Sequence, residues 1–251
     1  MEVHFFMKQY GLIGYPLGHS FSKKYFEEKF AVENIANAGF ELYPIQNVES
    51  ITEIISTNKN LQGLAVTIPY KETVMPLLTH ISQEAKIIGA VNCIKIKNGE
   101  TTGYNTDVVG FQQSLQPLLQ EHHTHALVFG TGGASKAVQY VLQKLKINFT
   151  VVSRTKNIEK NIICYEEITK ELLQKNRLII NCTPLGMSPN ENQCPSINYS
   201  NITTTHLLFD LIYKPATTLF LHNGLNHSCQ IKNGFEMLVL QAEENWKIWN
   251  E

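Results

Sequence analysis

The stretch Ala126-Leu-Val-Phe-Gly-Thr-Gly-Gly-Ala-Ser135 decides the fold. Four apolar residues read as a buried strand that runs straight into a glycine-rich turn. The apolar spacing over 136–145 then predicts a helix, and 149–153 a second strand. That is a βαβ unit. Gly130, Thr131, Gly132, Gly133 and Ala134 sit where small residues let the backbone approach a pyrophosphate, with helix N-terminal N–H groups facing the anion. Ser135 stands where the usual pattern has its third glycine. A tight turn with no ligand is the alternative reading. At the end of the second strand, Ser153-Arg154-Thr155-Lys156 has no acid to take a ribose 2′-hydroxyl. Arg154 offers a forked cation for a 2′-phosphate, which favours NADP(H) over NAD(H). A solvated surface arginine is the alternative.

Outward from this unit, 178–181 and 207–210 are further strands, and 235–249 has an amphipathic helix pattern. Alternating strands and helices imply a parallel, doubly wound sheet. The Asn-, Ser-, Thr- and Pro-rich stretch 187–205 reads as a surface loop. Upstream, strands are predicted over 10–14, 40–44 and 61–68, and helices over 22–34, 48–57, 72–79 and 82–87. A hairpin pairs 91–96 with 101–104 across Asn98-Gly99. A helix over 108–121 leads into the second region. The expectation is an α/β protein of two domains: 1–106, completed by a C-terminal helix at 234–251, and a Rossmann-type domain at 107–233.

Bulk composition narrows the function. The 251 residues are 43% hydrophobic and 17% charged, with net charge −1. Such a chain builds a core and has no general attraction to nucleic acid or an anionic membrane. The five cysteines lack zinc or redox spacing, so reduced thiols are expected. The first ten residues lack the pattern of a secretory signal, and no apolar run is long enough to span a bilayer. A cytoplasmic protein is the expectation. His122, His123 and His125 have no matching carboxylate cluster and read as a solvated loop rather than a metal site. His19 reads equally as turn packing or as a catalytic group. Trp246 and Trp249 read as packing anchors.

Four segments of the first region carry chemistry: Gly14-Tyr-Pro-Leu-Gly-His-Ser20-Phe-Ser22, Val66-Thr67-Ile-Pro-Tyr-Lys71, Gly89-Ala-Val-Asn92 and Gly103-Tyr-Asn105-Thr-Asp107. Ser20 and Ser22 stand at a helix start, where a hydroxyl caps the helix or helps bind a carboxylate. A lone lysine is usually a solvated surface residue; Lys71 is read otherwise because of the motifs around it. The second region adds Asn181-Cys-Thr-Pro-Leu-Gly-Met187, Asp210-Leu-Ile-Tyr213-Lys-Pro and Asn233-Gly234-Phe-Glu-Met-Leu-Val-Leu-Gln241-Ala.

As an ordered set over almost the whole chain, these segments resemble the shikimate dehydrogenase family, of the NADP-dependent, shikimate-selective type. The resemblance implies reversible reduction of 3-dehydroshikimate to shikimate with NADPH, in the synthesis of aromatic amino-acid precursors. It implies Lys71 and Asp107 as the catalytic pair. Ser20, Ser22 and Tyr213 would hold the substrate carboxylate, and Thr67, Asn92, Asp107 and Gln241 the ring hydroxyls. Gly130–Ala134, Ser153, Arg154, Thr155, Leu211 and Gly234 would line the cofactor site. Hydride addition to a ketone makes an alkoxide, and a lysine ammonium is a suitable proton donor to it. A polyol needs many paired polar groups, since an unpaired buried donor costs about 1–3 kcal/mol. The chain departs from the family at Lys23 (usually Pro), Ser153 (usually Asn), Cys182-Thr-Pro184 (usually Ala-Thr-Ser), and in a basic residue beyond Thr155, for which Lys156 is the nearest substitute. The expected partner is a small-molecule substrate, with no metal, on a monomer or homodimer. A quinate/shikimate dehydrogenase that uses NAD, and a non-catalytic NADP(H) sensor, are the alternatives.

Overall fold

The computed structural model describes residues 7–18 and 20–251; the readings of the first six residues and of His19 lie outside them. The chain divides into two compact units. One runs up to Thr106 and takes Ala242–Glu251 as well; the other is Asp107–Gln241.

The first unit contains β1 (Lys8–Gly14), α1 (Phe21–Val32), β2 (Ala38–Pro44), α2 (Ser50–Thr57), β3 (Leu61–Val66), β4 (His80–Ile81), α3 (Gln83–Ile88), β5 (Cys93–Lys97) and β6 (Glu100–Tyr104). The strands form one sheet in the order β2-β1-β3-β5-β6-β4, parallel except at β5. The β5–β6 hairpin turns at Asn98 (φ 54°) and Gly99 (φ 83°). Both residues are left-handed, as a two-residue turn between twisted strands demands. Where a helix is expected over 72–79, there is only a 3₁₀ turn, Met75–Leu77. Pro76 has no N–H to continue a helix. Thr79 is drawn instead into pairing with Thr101, each backbone N–H donating to the other's hydroxyl at 2.9 and 3.2 Å.

Side chains alternate across this sheet. Ile13, Leu64, Val66 and Ile94 face Ile51 of α2 and Ala85 of α3. Tyr10, Leu12, Phe40 and Ala65 face Phe26 and Phe30 of α1, together with Trp249. Trp249 lies flat on Gly63 of β3, where a Cβ would come within 2.3 Å of the indole. Its N–H donates to the Ile94 carbonyl at 3.0 Å, and its ring stacks on Tyr10 at 5.1 Å. The tryptophan is therefore a packing anchor, as its helical spacing predicts.

The second unit contains α4 (Asp107–Leu115), β7 (His125–Phe129), α5 (Gly133–Lys144), β8 (Asn148–Val152), β9 (Ile162–Ile163), α6 (Lys170–Lys175), β10 (Leu178–Asn181), β11 (Leu207–Asp210), α7 (Leu219–Asn226), β12 (Gln230–Lys232) and the start of α8 (Phe235–Asn250). Its sheet is parallel in the order β12-β11-β10-β7-β8-β9. This is the doubly wound arrangement, with its switch point between β7 and β10. Every residue of β10 and β11 is buried, as a sheet covered on both faces requires. α4 stops earlier than expected, because Pro117 falls in the 3₁₀ turn that follows it.

The 187–205 stretch is not simply a surface loop: Ile202 is buried, and Ile197 and Tyr199 pack against the core under it. The histidine run is not uniformly solvated either. His123 is 5% exposed, and its Nδ1 accepts from the Gln120 N–H at 3.0 Å. Among the described residues no group of His, Cys, Asp or Glu is arranged to hold a metal, and no helix is long and apolar enough to cross a membrane.

Candidate active site

In the first unit, topology gathers the polar residues at one end of the sheet. β1, β3 and β6 finish there, and the antiparallel β5 starts there. The Thr67 N–H donates to Ile13 O at 3.0 Å, and the Tyr15 N–H to Ile68 O at 3.1 Å, so the segments after β1 and β3 leave side by side. They are so close that a Cβ on Gly14 would lie 2.4 Å from the Thr67 methyl. The segment bearing Lys71 is tied to the next one by the Val91 N–H, which donates to Lys71 O at 2.7 Å. Asn92 is 3% exposed, and its Oδ1 accepts from the Thr106 N–H at 2.6 Å. Asn105 Nδ2 donates to Ala90 O at 2.9 Å. Thr67 and Lys71 are half-buried.

Ser20 occupies the N-cap position of α1 with extended backbone, but its hydroxyl makes no capping bond. The oxygen is buried and has no hydrogen-bond partner among the described residues. The first turn of α1, which includes the half-buried Ser22, carries no acidic side chain. Of the two roles that the sequence allows Ser20, the structure lacks the cap. A buried hydroxyl beside uncapped N–H groups is suited to an anion such as a carboxylate.

The second unit places the glycine turn at the switch point. Gly130 has φ 101°, and a Cβ there would lie 3.2 Å from the Cys182 carbonyl group of the adjoining strand end. Gly132 differs: a Cβ there would meet nothing within 4 Å. It stands at the N-cap of α5, which has no side-chain cap and no acid in its first turn. Thr131 is exposed, and Gly133 and Ala134 are half-buried. Ser135 has its own task where a glycine is usual. It is 1% exposed, its hydroxyl donates to Gly130 O at 2.6 Å, and it accepts from Gln139 Nε2 at 3.0 Å, so it locks the turn shut. These residues fit a dinucleotide pyrophosphate: a cradle open on one side, with the positive end of a helix dipole behind it.

Ser153, half-buried, and Arg154 and Thr155, exposed, follow β8 directly. Lys156 is paired with Glu167, whose carboxyl is held at about 2 by that lysine and by the Cys164 N–H. The charge of Lys156 is thus already matched, whereas Arg154 stands exposed directly after β8.

Asp107 opens α4 and is 5% exposed. One turn on, a Cβ on Gly110 would lie 2.5 Å from Met237 O and 3.2 Å from Gln241 Cβ, so α4 and α8 meet backbone to backbone beside Gln241. Leu211 and Gly234 are likewise in contact: a Cβ on Gly234 would fall 2.0 Å from Leu211 O. Tyr213 is half-buried, and burial raises its phenol above the usual range.

Two residues that open motifs of the second region, with no role assigned from the sequence, organise this end of the sheet. Asn181 and Asp210 are register partners on β10 and β11, both fully buried. Asn181 Nδ2 donates to Asp210 Oδ1 at 3.0 Å and to Leu185 O at 3.1 Å; its Oδ1 accepts from the Thr183 N–H at 3.0 Å and hydroxyl at 2.6 Å. Burial pushes the Asp210 carboxyl up to about 6. Each is a polar residue that ends an otherwise apolar strand, but only the folded sheet makes them partners.

Known proteins of the same fold identify the family. Residues 12–94 match the family described as shikimate dehydrogenase substrate binding domain. A shikimate dehydrogenase (NADP(+)) of Methanococcus maripaludis is 36% identical, covering 96% of this chain and 91% of the relative. The crystal structure of shikimate dehydrogenase 1 from Peptoclostridium difficile is 34% identical, with TM-score 0.84, covering 97% of this chain and 92% of the other. That of shikimate 5-dehydrogenase from Thermus thermophilus, in complex with NADP(H) and shikimate, is 26% identical with TM-score 0.83, over 97% and 93%. With more than a third of its residues identical to such a relative over nearly its whole length, the chain belongs to the shikimate dehydrogenase family.

Proposed function

We propose that this protein catalyses the reversible, NADPH-dependent reduction of 3-dehydroshikimate to shikimate. The observation that carries the reading is the end of the first sheet. The segments after β1 and β3 leave that end side by side, with Thr67 and Lys71 on one of them and Asn92 on the next, and the segment after β1 leads to Ser20, whose buried hydroxyl has no partner among the described residues.

On this reading Ser20, Ser22 and Tyr213 hold the substrate carboxylate, and Thr67, Asn92 and Gln241 orient the ring hydroxyls. Gly130–Ala134 and the first turn of α5 take the pyrophosphate, and Arg154 takes the 2′-phosphate with Ser153 and Thr155 beside it. The backbone near Leu211 and Gly234 would line the cofactor site. NADPH, when bound, supplies the hydride. The protein's own part is the proton. Lys71 delivers it to the oxygen that becomes the new hydroxyl, and its positive charge stabilises the alkoxide as it forms. Asp107 accepts a hydrogen bond from that hydroxyl and holds the ammonium in line. In the oxidative direction the same lysine receives the proton. Positioning by several paired groups supplies the rest of the rate.

The test is absorbance of reduced nicotinamide with shikimate and either NADP+ or NAD+. Growth with NADP+ and little with NAD+, and loss of that preference in Arg154→Met, is expected. Turnover of quinate in place of shikimate, or no turnover despite NADP(H) binding, overturns the assignment.

A further inference from the structure

The two oxygens of Asp210 hold both ends of one loop. Oδ1 accepts from the Ile212 N–H at 3.0 Å, just beyond β11. Oδ2 accepts from the Thr218 hydroxyl at 2.6 Å. Thr218 is the N-cap of α7, where its oxygen also accepts from the Leu221 N–H at 3.3 Å. Residues 211–217, with Leu211 near one end and Tyr213 in the body, are therefore pinned by a single side chain. The same Oδ1 receives Asn181 Nδ2, and Asn181 in turn sets the turn at Thr183 and Leu185.

Asp210 is 0% exposed, and the groups facing its oxygens are an amide, a backbone N–H and a hydroxyl. A buried carboxylate without a cation is a costly way to fill a core, and an apolar residue fills one more cheaply. What a carboxylate offers is two acceptor oxygens at a fixed spacing, here aimed at two different stretches of backbone. The Leu211 N–H donates to Asn181 O at 3.0 Å, and Gly234 is packed on the Leu211 carbonyl, so the pinned loop is registered against its neighbours.

We infer that Asp210 is a positioning residue for the reaction, clamping 211–217 so that Leu211 meets the cofactor and Tyr213 the substrate in one register. This rests on the roles of Leu211 and Tyr213 proposed above. The two oxygens have separable effects. Thr218 holds the end beyond Tyr213, so Thr218→Val loosens the substrate contact while the Asn181 and Ile212 bonds still hold Leu211. Asp210→Ala releases both ends. Asp210→Asn keeps the shape: its oxygen accepts as Oδ1 does, and the Thr218 hydroxyl turns to accept from the new NH₂.

Steady-state kinetics with shikimate and NADP+, with a thermal melt on each variant, decide it. Misplacing reacting groups by about 1 Å costs roughly 100-fold. Asp210→Ala is accordingly expected to lower kcat at least ~30-fold, and Asp210→Asn to recover it to within ~5-fold of wild type. Thr218→Val is expected to raise KM for shikimate ~10-fold, with KM for NADP+ within ~2-fold, and Thr218→Ser to restore it. The inference is overturned if a cooperatively folded Asp210→Ala keeps wild-type constants, or if Thr218→Val moves both KM values together. If Asp210→Ala does not fold, the Thr218→Val and Thr218→Ser pair decides alone. Tyr213→Phe separates the two levels. An unchanged KM for shikimate there sinks the role given to Tyr213, whereas a raised KM beside an unaffected Thr218→Val sinks only the clamp.

Discussion

Ser20 stands at a helix start and declines the bond its position offers. An N-cap serine replaced by alanine usually costs about 1 kcal/mol. Because this hydroxyl makes no capping bond, Ser20→Ala should leave the melting temperature nearly unchanged and raise KM for shikimate ~10-fold. A lowered melting temperature with unchanged KM would return Ser20 to a structural role. Lys71→Ala should separate kcat from KM the other way. Loss of a general acid costs about 10²- to 10⁴-fold in turnover, with KM for shikimate little altered; an unchanged kcat would remove Lys71 from the chemistry. Both residues are legible in the sequence, because they sit in short motifs whose neighbours are adjacent in the chain. Asn181 and Asp210 are not. Their meaning comes from pairing across β10 and β11, and the register that creates it is a property of the folded sheet.

The two outer glycines of the turn before α5 illustrate what an element adds to its letters. In sequence Gly130 and Gly132 look alike. Gly130 is required by backbone shape and by the Cys182 carbonyl group beside it, whereas Gly132 is open to a larger side chain as far as the protein is concerned. Gly132→Asp should therefore fold and melt close to wild type, yet raise KM for NADP+ more than ~10-fold by placing a carboxylate where a pyrophosphate belongs. A large drop in melting temperature with normal KM would mean that this helix start is not the phosphate site. The strand–turn–helix pattern is legible because apolar runs and glycines are local signals. The missing helix over 72–79 shows the limit: the apolar spacing suits a helix, but Pro76 and the Thr79–Thr101 pairing prevail. The short strands β4, β9 and β12 have too few residues to show a period, and they exist only because longer neighbours offer them an edge.

At the scale of the molecule, the two-domain α/β plan follows from the alternation of elements, but the acid behaviour of the second unit does not. His206 is 2% exposed; its Nδ1 accepts from the Thr203 N–H at 3.0 Å and its Nε2 lies 3.0 Å from Leu173 O, so the ring is held neutral. Burial lowers both His206 and His123 below the usual histidine range. The unfolded imidazoles take up protons near pH ~6.5 and the folded ones only below that, so their stabilising effect is present above pH ~6.5 and lost as pH falls. Asp210 acts in the opposite sense. Its folded carboxyl, at about 6, protonates before the unfolded one at 3.8, so stability returns as pH falls between those values. His206→Gln isolates the histidine contribution: the gap in melting temperature from wild type should narrow between pH ~7.5 and ~5.5. A gap that is the same at both pH values would contradict it.

The indole of Trp249, seated on Gly63, has a temporal consequence. A ribosome releases residues in order, and domains fold as they emerge. Asp107–Gln241 is one contiguous stretch, so all of its strands are made before the last turns of α8 that the first unit needs. The first unit, though begun earlier, keeps the aromatic face of Tyr10, Phe26 and Phe40 uncovered until codon 249 is read. The half of the protein that is made first is therefore finished last, and a nascent chain halted before that codon presents an aromatic surface to chaperones.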